Sequence, residues 1–314
     1  MLSSPHAALI AQLVAARSCG TPIALGQATS YQWAAACHEM WEAGRIDDVE
    51  FAARLLHPYF PDMTYLESLV ALFDGLPRIP PAPAAFCDDP AAEIQIVRRS
   101  GCDAVLLAFC ACQGTLGLPV NFIHQWLGRL PASLVYLKDF ENLAGACGFP
   151  TLGRGRPASL AALQRIADEV GGRRIYALGV SMGGYAALYY GLQLGAEGVL
   201  NLAGATDFTP SFVESLEPVA PEYHGLRQVA PDYTVNLRDA YACATRRPHV
   251  IIAYSAGNPR DRQQAERMAG LPNVELVAVD YAQHNVLDPL IRNGEFLPLL
   301  QRLLSTEGTA ALAS

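Results

Sequence analysis

Arg174-Ile175-Tyr176-Ala177-Leu178-Gly179-Val180-Ser181-Met182-Gly183-Gly184-Tyr185-Ala186-Ala187-Leu188 is the stretch that decides how this 314-residue chain folds. Ile175 to Leu178 is an apolar run of strand length, too short for a helix. From Met182 onward the residues return to helix formers, Ala186, Ala187 and Leu188 among them. Between the two lies Gly179-Val180-Ser181-Met182-Gly183, a G-x-S-x-G pentapeptide. Its spacing has a steric cause. The residue at the apex of so cramped a turn is held in a strained backbone conformation, and glycines two before and two after let strand and helix pass closely. The turn lifts a serine hydroxyl above the sheet, beside a helix N-terminus that stabilises developing negative charge.

Outward from this turn the sequence alternates strand and helix patterns. Glu93 to Arg98 alternates like an edge strand, and Asp103 to Phe109 is apolar on both faces, as a central parallel strand must be. A helix follows over Val120 to Leu130, then a strand over Ser133 to Leu137. A further helix over Pro157 to Val170 has proline in its first turn and stops at Gly171-Gly172. Beyond the central turn come strands over Glu197 to Ala203, His249 to Tyr254 and Val274 to Val279. A helix over Arg260 to Ala269 and a closing one from about Val286 to Leu304 complete the series. Strict alternation of this kind predicts a doubly wound, mostly parallel α/β sheet with ligands above the carboxyl ends of its strands. The strand, the pentapeptide and the helix together resemble the α/β-hydrolase superfamily over residues 93–304.

Ahead of this domain, residues 1–76 read as a small helical extension. Helical spacing covers residues 5–18. Thr29-Ser30 caps a helix over Tyr31 to Ala43, another runs from Ile46 to His57, and Thr64-x-x-Glu67 forms a capping box for a fourth. The pattern of Trp33, Ala36, Trp41 and Gly44 resembles a tetratricopeptide-type pair, but with at most one and a half repeats it is too short for a free-standing array. A helical cap on the main domain is the simpler expectation. Residues 77–92, opening Pro77-Arg78-Ile79-Pro80-Pro81-Ala82-Pro83, form a semi-rigid linker, and residues 305–314 a frayed tail.

Composition narrows the function. Half the residues are hydrophobic and 17% charged, the balance of a globular protein rather than a disordered one. A net charge of −8 argues against nucleic acid or an anionic membrane as partner. No apolar run reaches the length of a membrane span. The start carries no basic n-region of a secretory signal, and the eight cysteines form no disulfide framework or metal-binding pair. The expectation is a cytoplasmic protein with reduced thiols, no metal and no cofactor.

A serine hydroxyl is a poor nucleophile near neutrality and needs a base, a group to orient that base, and donors for the oxyanion. In the superfamily these follow in the chain order nucleophile, acid, histidine. Of the histidines beyond Ser181, His249 opens a strand, at the wrong edge of the sheet. His284 lies in the loop between the last strand and the last helix, the position the resemblance assigns to the base. Asp261 is the only carboxylate in the loop after the His249–Tyr254 strand, one residue later than the family's usual spacing from the glycine. Asp207 is its rival and Asp280 a weaker one. The resemblance places one oxyanion donor at the Met182 N–H and the other after the Asp103–Phe109 strand, at Ala111 or Cys110. The long stretch from about 207 to 247 corresponds to the superfamily's lid, with Phe208, Phe212 and His224 as substrate contacts.

The reading that follows is a serine hydrolase acting on a small-molecule carboxylic ester or thioester through an acyl-enzyme. An acyltransferase with the same machinery is the alternative. A non-catalytic binding or scaffold protein is a second one, its N-terminal helices offering a surface for a protein partner or for self-association.

Overall fold

A computed structural model describes residues 5–76, 86–209, 211–212 and 235–305. These fall in two compact units, residues 1–80 and 81–314. In the first unit, helices α1 (Ala7–Cys19), α2 (Ser30–Glu42), α3 (Ile46–Leu56) and α4 (Thr64–Gly75) enclose their own core around Trp33, Cys37, Met40, Val49, Leu56 and Leu66. The capping box occurs at Thr29. Its side chain accepts from the Gln32 N–H, and the Gln32 carboxamide accepts from the Thr29 N–H. The box expected at Thr64 is absent, because Thr64 is already the first helical residue and Met63 takes the capping position without a side-chain bond. A Ser/Thr-x-x-Glu pattern marks a helix start but not which residue stays outside it.

The second unit is built on seven strands: β1 (Ile94–Val97), β2 (Ala104–Phe109), β3 (Ser133–Leu137), β4 (Arg174–Val180), β5 (Gly198–Leu202), β6 (His249–Ser255) and β7 (Val274–Val279). Their order across the sheet is β1-β3-β2-β4-β5-β6-β7, with β1 antiparallel to β3 and every other pair parallel. The helices between them are α5 (Val120–Leu127), α6 (Arg156–Glu169), α7 (Met182–Gln193), α8 (Leu237–Cys243), α9 (Pro259–Glu266), α10 (Leu287–Arg292) and α11 (Phe296–Leu304). In β2, Val105, Leu107 and Phe109 share a core with Leu163 of α6 and Leu188 of α7, while Leu106 and Ala108 on the opposite face are also buried. Both faces are therefore covered, which is why the strand reads as a continuous apolar run.

The closing helix expected over 286–304 is two helices. Asn293 and Gly294 interrupt it, Gly294 with a φ of +72°, and Glu295 N–H bonds back to the Leu290 carbonyl. That is the left-handed stop a glycine provides at a helix C-terminus. Among the described residues no helix is long and apolar enough to cross a membrane.

The chain leaves β2 toward β3 on one side and leaves β4 toward β5 on the other. A crevice opens where neighbouring strands part in this way, at their carboxyl ends. Ser181 follows β4 and Cys110 follows β2, so both flank it.

Candidate active site

Strand β4 ends at Val180, and α7 begins two residues later at Met182. Ser181, alone between them, has φ +52° and ψ −120°, a backbone conformation that non-glycine residues adopt only when their surroundings enforce it. The enforcement is visible. Ser181 N–H is held by the Leu202 carbonyl of β5 (3.0 Å), and Gly184 N–H by the Ser181 carbonyl (2.9 Å). A Cβ on Gly179 would lie 2.1 Å from the Gly183 carbonyl oxygen, and one on Gly183 would lie 2.2 Å from that of Phe109. Both glycines are required by close approach of backbone to backbone.

The Ser181 Oγ lies 2.8 Å from Nε2 of His284, and His284 Nδ1 lies 2.7 Å from Oδ1 of Asp261. Three residues that each follow the carboxyl end of a different strand thus form one hydrogen-bonded chain. With Nδ1 protonated and donating to the carboxylate, Nε2 is left as an acceptor for the serine proton.

Asp261 reaches this position through its helix. Asn258 caps α9, its Oδ1 accepting from the N–H groups of Arg260 (3.0 Å) and Asp261 (3.3 Å). Pro259 starts the helix immediately, so the carboxylate is carried in its first turn rather than on an extended loop. The side chain of Asp261 is 1% exposed and that of His284 48%. Burial pushes the Asp261 pKa up, and the hydrogen bond and charge of His284 pull it back down. Asp261 Oδ2 has no hydrogen-bond partner among the described residues.

Asp207 lies elsewhere. It is buried, paired with the Arg267 guanidinium, and bridged to Asn236 at the base of the 207–236 excursion. Asp280 is exposed beyond the end of β7.

Met182 N–H opens α7, where no intrahelical acceptor exists for it. The second oxyanion donor expected from the sequence is not free. Ala111 N–H donates to the Thr115 carbonyl (2.6 Å), closing a tight turn, and Cys110 N–H donates to the Leu137 carbonyl (2.8 Å). Both groups are committed to holding the loop after β2. Burial also pushes the Cys110 thiol pKa up to about 12, which makes it an inert side chain.

Two expected substrate contacts are placed differently. Phe208 is buried in the core against Tyr185, ring centroids 4.6 Å apart, and Phe212 packs under the Arg267 guanidinium at 4.3 Å. Both follow the buried Asp207 closely and are drawn to its ion pair and the core beneath. His224 lies outside the described residues.

Beside the elbow, the ends of β2 and β3 and the first turns of α7 border a narrow hollow. Phe109, Leu137, Phe149 and Ala186 supply apolar walls; they come from four separate stretches of chain, so no local pattern in the sequence groups them. Asp139 borders the same space, but its carboxylate accepts from the N–H groups of Glu141, Leu143 and Gly145 and is fully used by its own loop. Among the described residues no group of three or more metal-ligating side chains occurs.

The seven-stranded, mostly parallel sheet with covered faces and a strand–Ser181–helix turn at its centre is the α/β-hydrolase fold. No family model matches the chain, and no curated protein does. Solved structures do. MenH from Staphylococcus aureus is 14% identical over 68% of this chain and 97% of its own, with a TM-score of 0.44. A lipase-esterase related protein from Clostridium acetobutylicum is 14% identical over 68% and 100%, TM-score 0.44. A carboxylesterase structure from Nitrososphaera gargenis is 11% identical over 67% and 93%, TM-score 0.48. At this distance the likeness concerns the fold, and function rests on the site itself.

Proposed function

We propose that the protein is a serine hydrolase that cleaves a carboxylic ester or thioester of a small molecule through an acyl-enzyme. The observation that carries this reading is the hydrogen-bonded chain from Ser181 Oγ through His284 to the buried carboxylate of Asp261. Ser181 attacks the acyl carbon as His284 Nε2 takes its proton, and the imidazolium that forms is stabilised by Asp261. The negative charge on the carbonyl oxygen meets the Met182 N–H at the α7 N-terminus. His284 then returns the proton to the departing alcohol or thiol. Water, activated by the same imidazole, releases the acyl group.

The test is labelling by a fluorophosphonate probe. The native chain should label, and Ser181→Ala should abolish labelling. His284→Ala should slow it by about 10³-fold or more, the scale of losing a general base. A folded native chain that fails to label, where a control hydrolase does, would overturn the reading in favour of a binding or scaffold protein.

A further inference from the structure

His284 sits in a loop that has little to hold it from within. Between β7 and α10 the only internal backbone bond found among its described residues joins Val286 N–H to the His284 carbonyl (3.0 Å). Strand β7 is an edge strand and half exposed. The imidazole therefore takes its place from anchors outside the loop. On one side the Tyr281 carbonyl accepts from the Ser255 hydroxyl and from the Gly257 N–H (2.9 Å), stitching the loop to the segment that leads to Asp261. On the other side stands Asn285, the residue next to the histidine.

The Asn285 amide donates from Nδ2 to the Gly117 carbonyl (2.9 Å), and its Oδ1 accepts from Leu287 N–H (3.3 Å) at the start of α10. Gly117 belongs to the loop after β2, which borders the crevice opposite the histidine. It has φ +77°, and a Cβ there would lie 2.9 Å from Asn285 Oδ1 and 3.2 Å from Cγ1 of Val180, the residue before Ser181. One amide thus ties the histidine loop to the β2 loop, on a glycine bare enough for the amide to rest on it, against the root of the nucleophile turn.

We propose that Asn285 is a positioning residue, which registers His284 against the β2 loop and Ser181 through its bond to the Gly117 carbonyl. The inference rests on the hydrolase reading above. A displacement of about 1 Å in a catalytic group costs on the order of 10²-fold in rate, so the bond should show in turnover rather than in substrate affinity.

The experiment compares Asn285→Ala, Asn285→Asp and Gly117→Ala with the native chain, all in the full-length protein. Asp keeps an acceptor for the Leu287 N–H but removes the donor to Gly117. Each variant should remain folded by thermal melting, lose about 10- to 100-fold in kcat and leave KM within about threefold. The loss in kcat/KM, which reports the acylation half-reaction alone, should be larger on an alkyl ester than on a p-nitrophenyl ester of the same acid, because an alkoxide leaving group depends on the proton His284 delivers. Gly117→Ala with Asn285→Ala should lose no more than the worse single variant, as two changes to one contact do. Native kcat in Asn285→Asp would overturn the proposal, leaving only the Leu287 contact. Equal losses on both esters, or losses that multiply in the double variant, would likewise overturn it. Absence of Ser181 labelling in the native chain would overturn the hydrolase reading and this inference together, whereas native labelling with unaffected variants would overturn this inference alone.

Discussion

Asp261 shows how the site trades stability against chemistry at a single residue. Its carboxylate is almost wholly withdrawn from water, has one oxygen without a partner among the described residues, and has its pKa raised by burial despite His284. A carboxyl whose folded pKa exceeds its unfolded value binds more protons in the native state. Between the unfolded value, about 4, and the raised folded one, stability therefore falls as pH rises, and above that window the full penalty remains. Asp261→Asn removes the penalty and keeps an oxygen to accept from His284 Nδ1. The variant should melt at or above the native temperature at pH 7, and the difference should vanish below pH of about 3.5, where both side chains are neutral. Its kcat should fall by about 10²- to 10⁴-fold, because the orienting charge for the imidazole is lost. Parallel thermal melts and ester kinetics across pH check both halves. A variant less stable than the native chain at pH 7 would contradict the account.

At the scale of elements, what sequence made legible was whatever depends on local pattern. The strand-turn-helix at Ser181 follows from two apolar periodicities meeting at glycines, and the site's three side chains come together because parallel strands all deliver their loops to one edge. What stayed illegible depends on which hydrogen bonds a loop chooses for itself. Nothing in Cys110-Ala111-Cys112-Gln113-Gly114-Thr115 announces that Ala111 will spend its N–H on Thr115, or Cys110 on Leu137. Phe208 faces the core for a related reason: an aromatic residue in a long excursion looks free to face a ligand, whereas the Asp207–Arg267 ion pair and the core hold the start of the excursion. Asn258 caps the helix that carries Asp261 beside His284, which makes a prediction. Asn258→Ala should cost about 0.5–2 kcal/mol in denaturant unfolding and lower kcat by less than Asp261→Asn does, since the carboxylate remains but its helix start is loosened. Asn258→Asp should restore most of both. Loss of stability with unchanged kcat would separate the cap from the placement of Asp261.

Among the described residues, each of the two units has a core of its own. Trp33, fully buried with its indole N–H on the Leu25 carbonyl, centres the first, and the sheet with α6 and α7 builds the second. A helical unit of this size buries only a modest fraction of its surface and has little stability to lose. Each unit has a buried thiol that reports on it, Cys37 within the first core and Cys110 just after β2 in the second unit, both with pKa values pushed up to about 12 by burial. Cys19, Cys87 and Cys243 are exposed. In the native chain a thiol reagent should therefore react at once with these three and slowly with Cys37 and Cys110, as mapped by mass spectrometry. Trp33→Ala removes about 3–5 kcal/mol from the first core and should open Cys37 to the reagent. If the two cores are separately cooperative, Cys110 stays protected in that variant and Ser181 labels at the native rate. Exposure of Cys110 in step with Cys37 would instead mean that the helical unit is required for the integrity of the hydrolase fold. Its residues would then be structural rather than available for a partner.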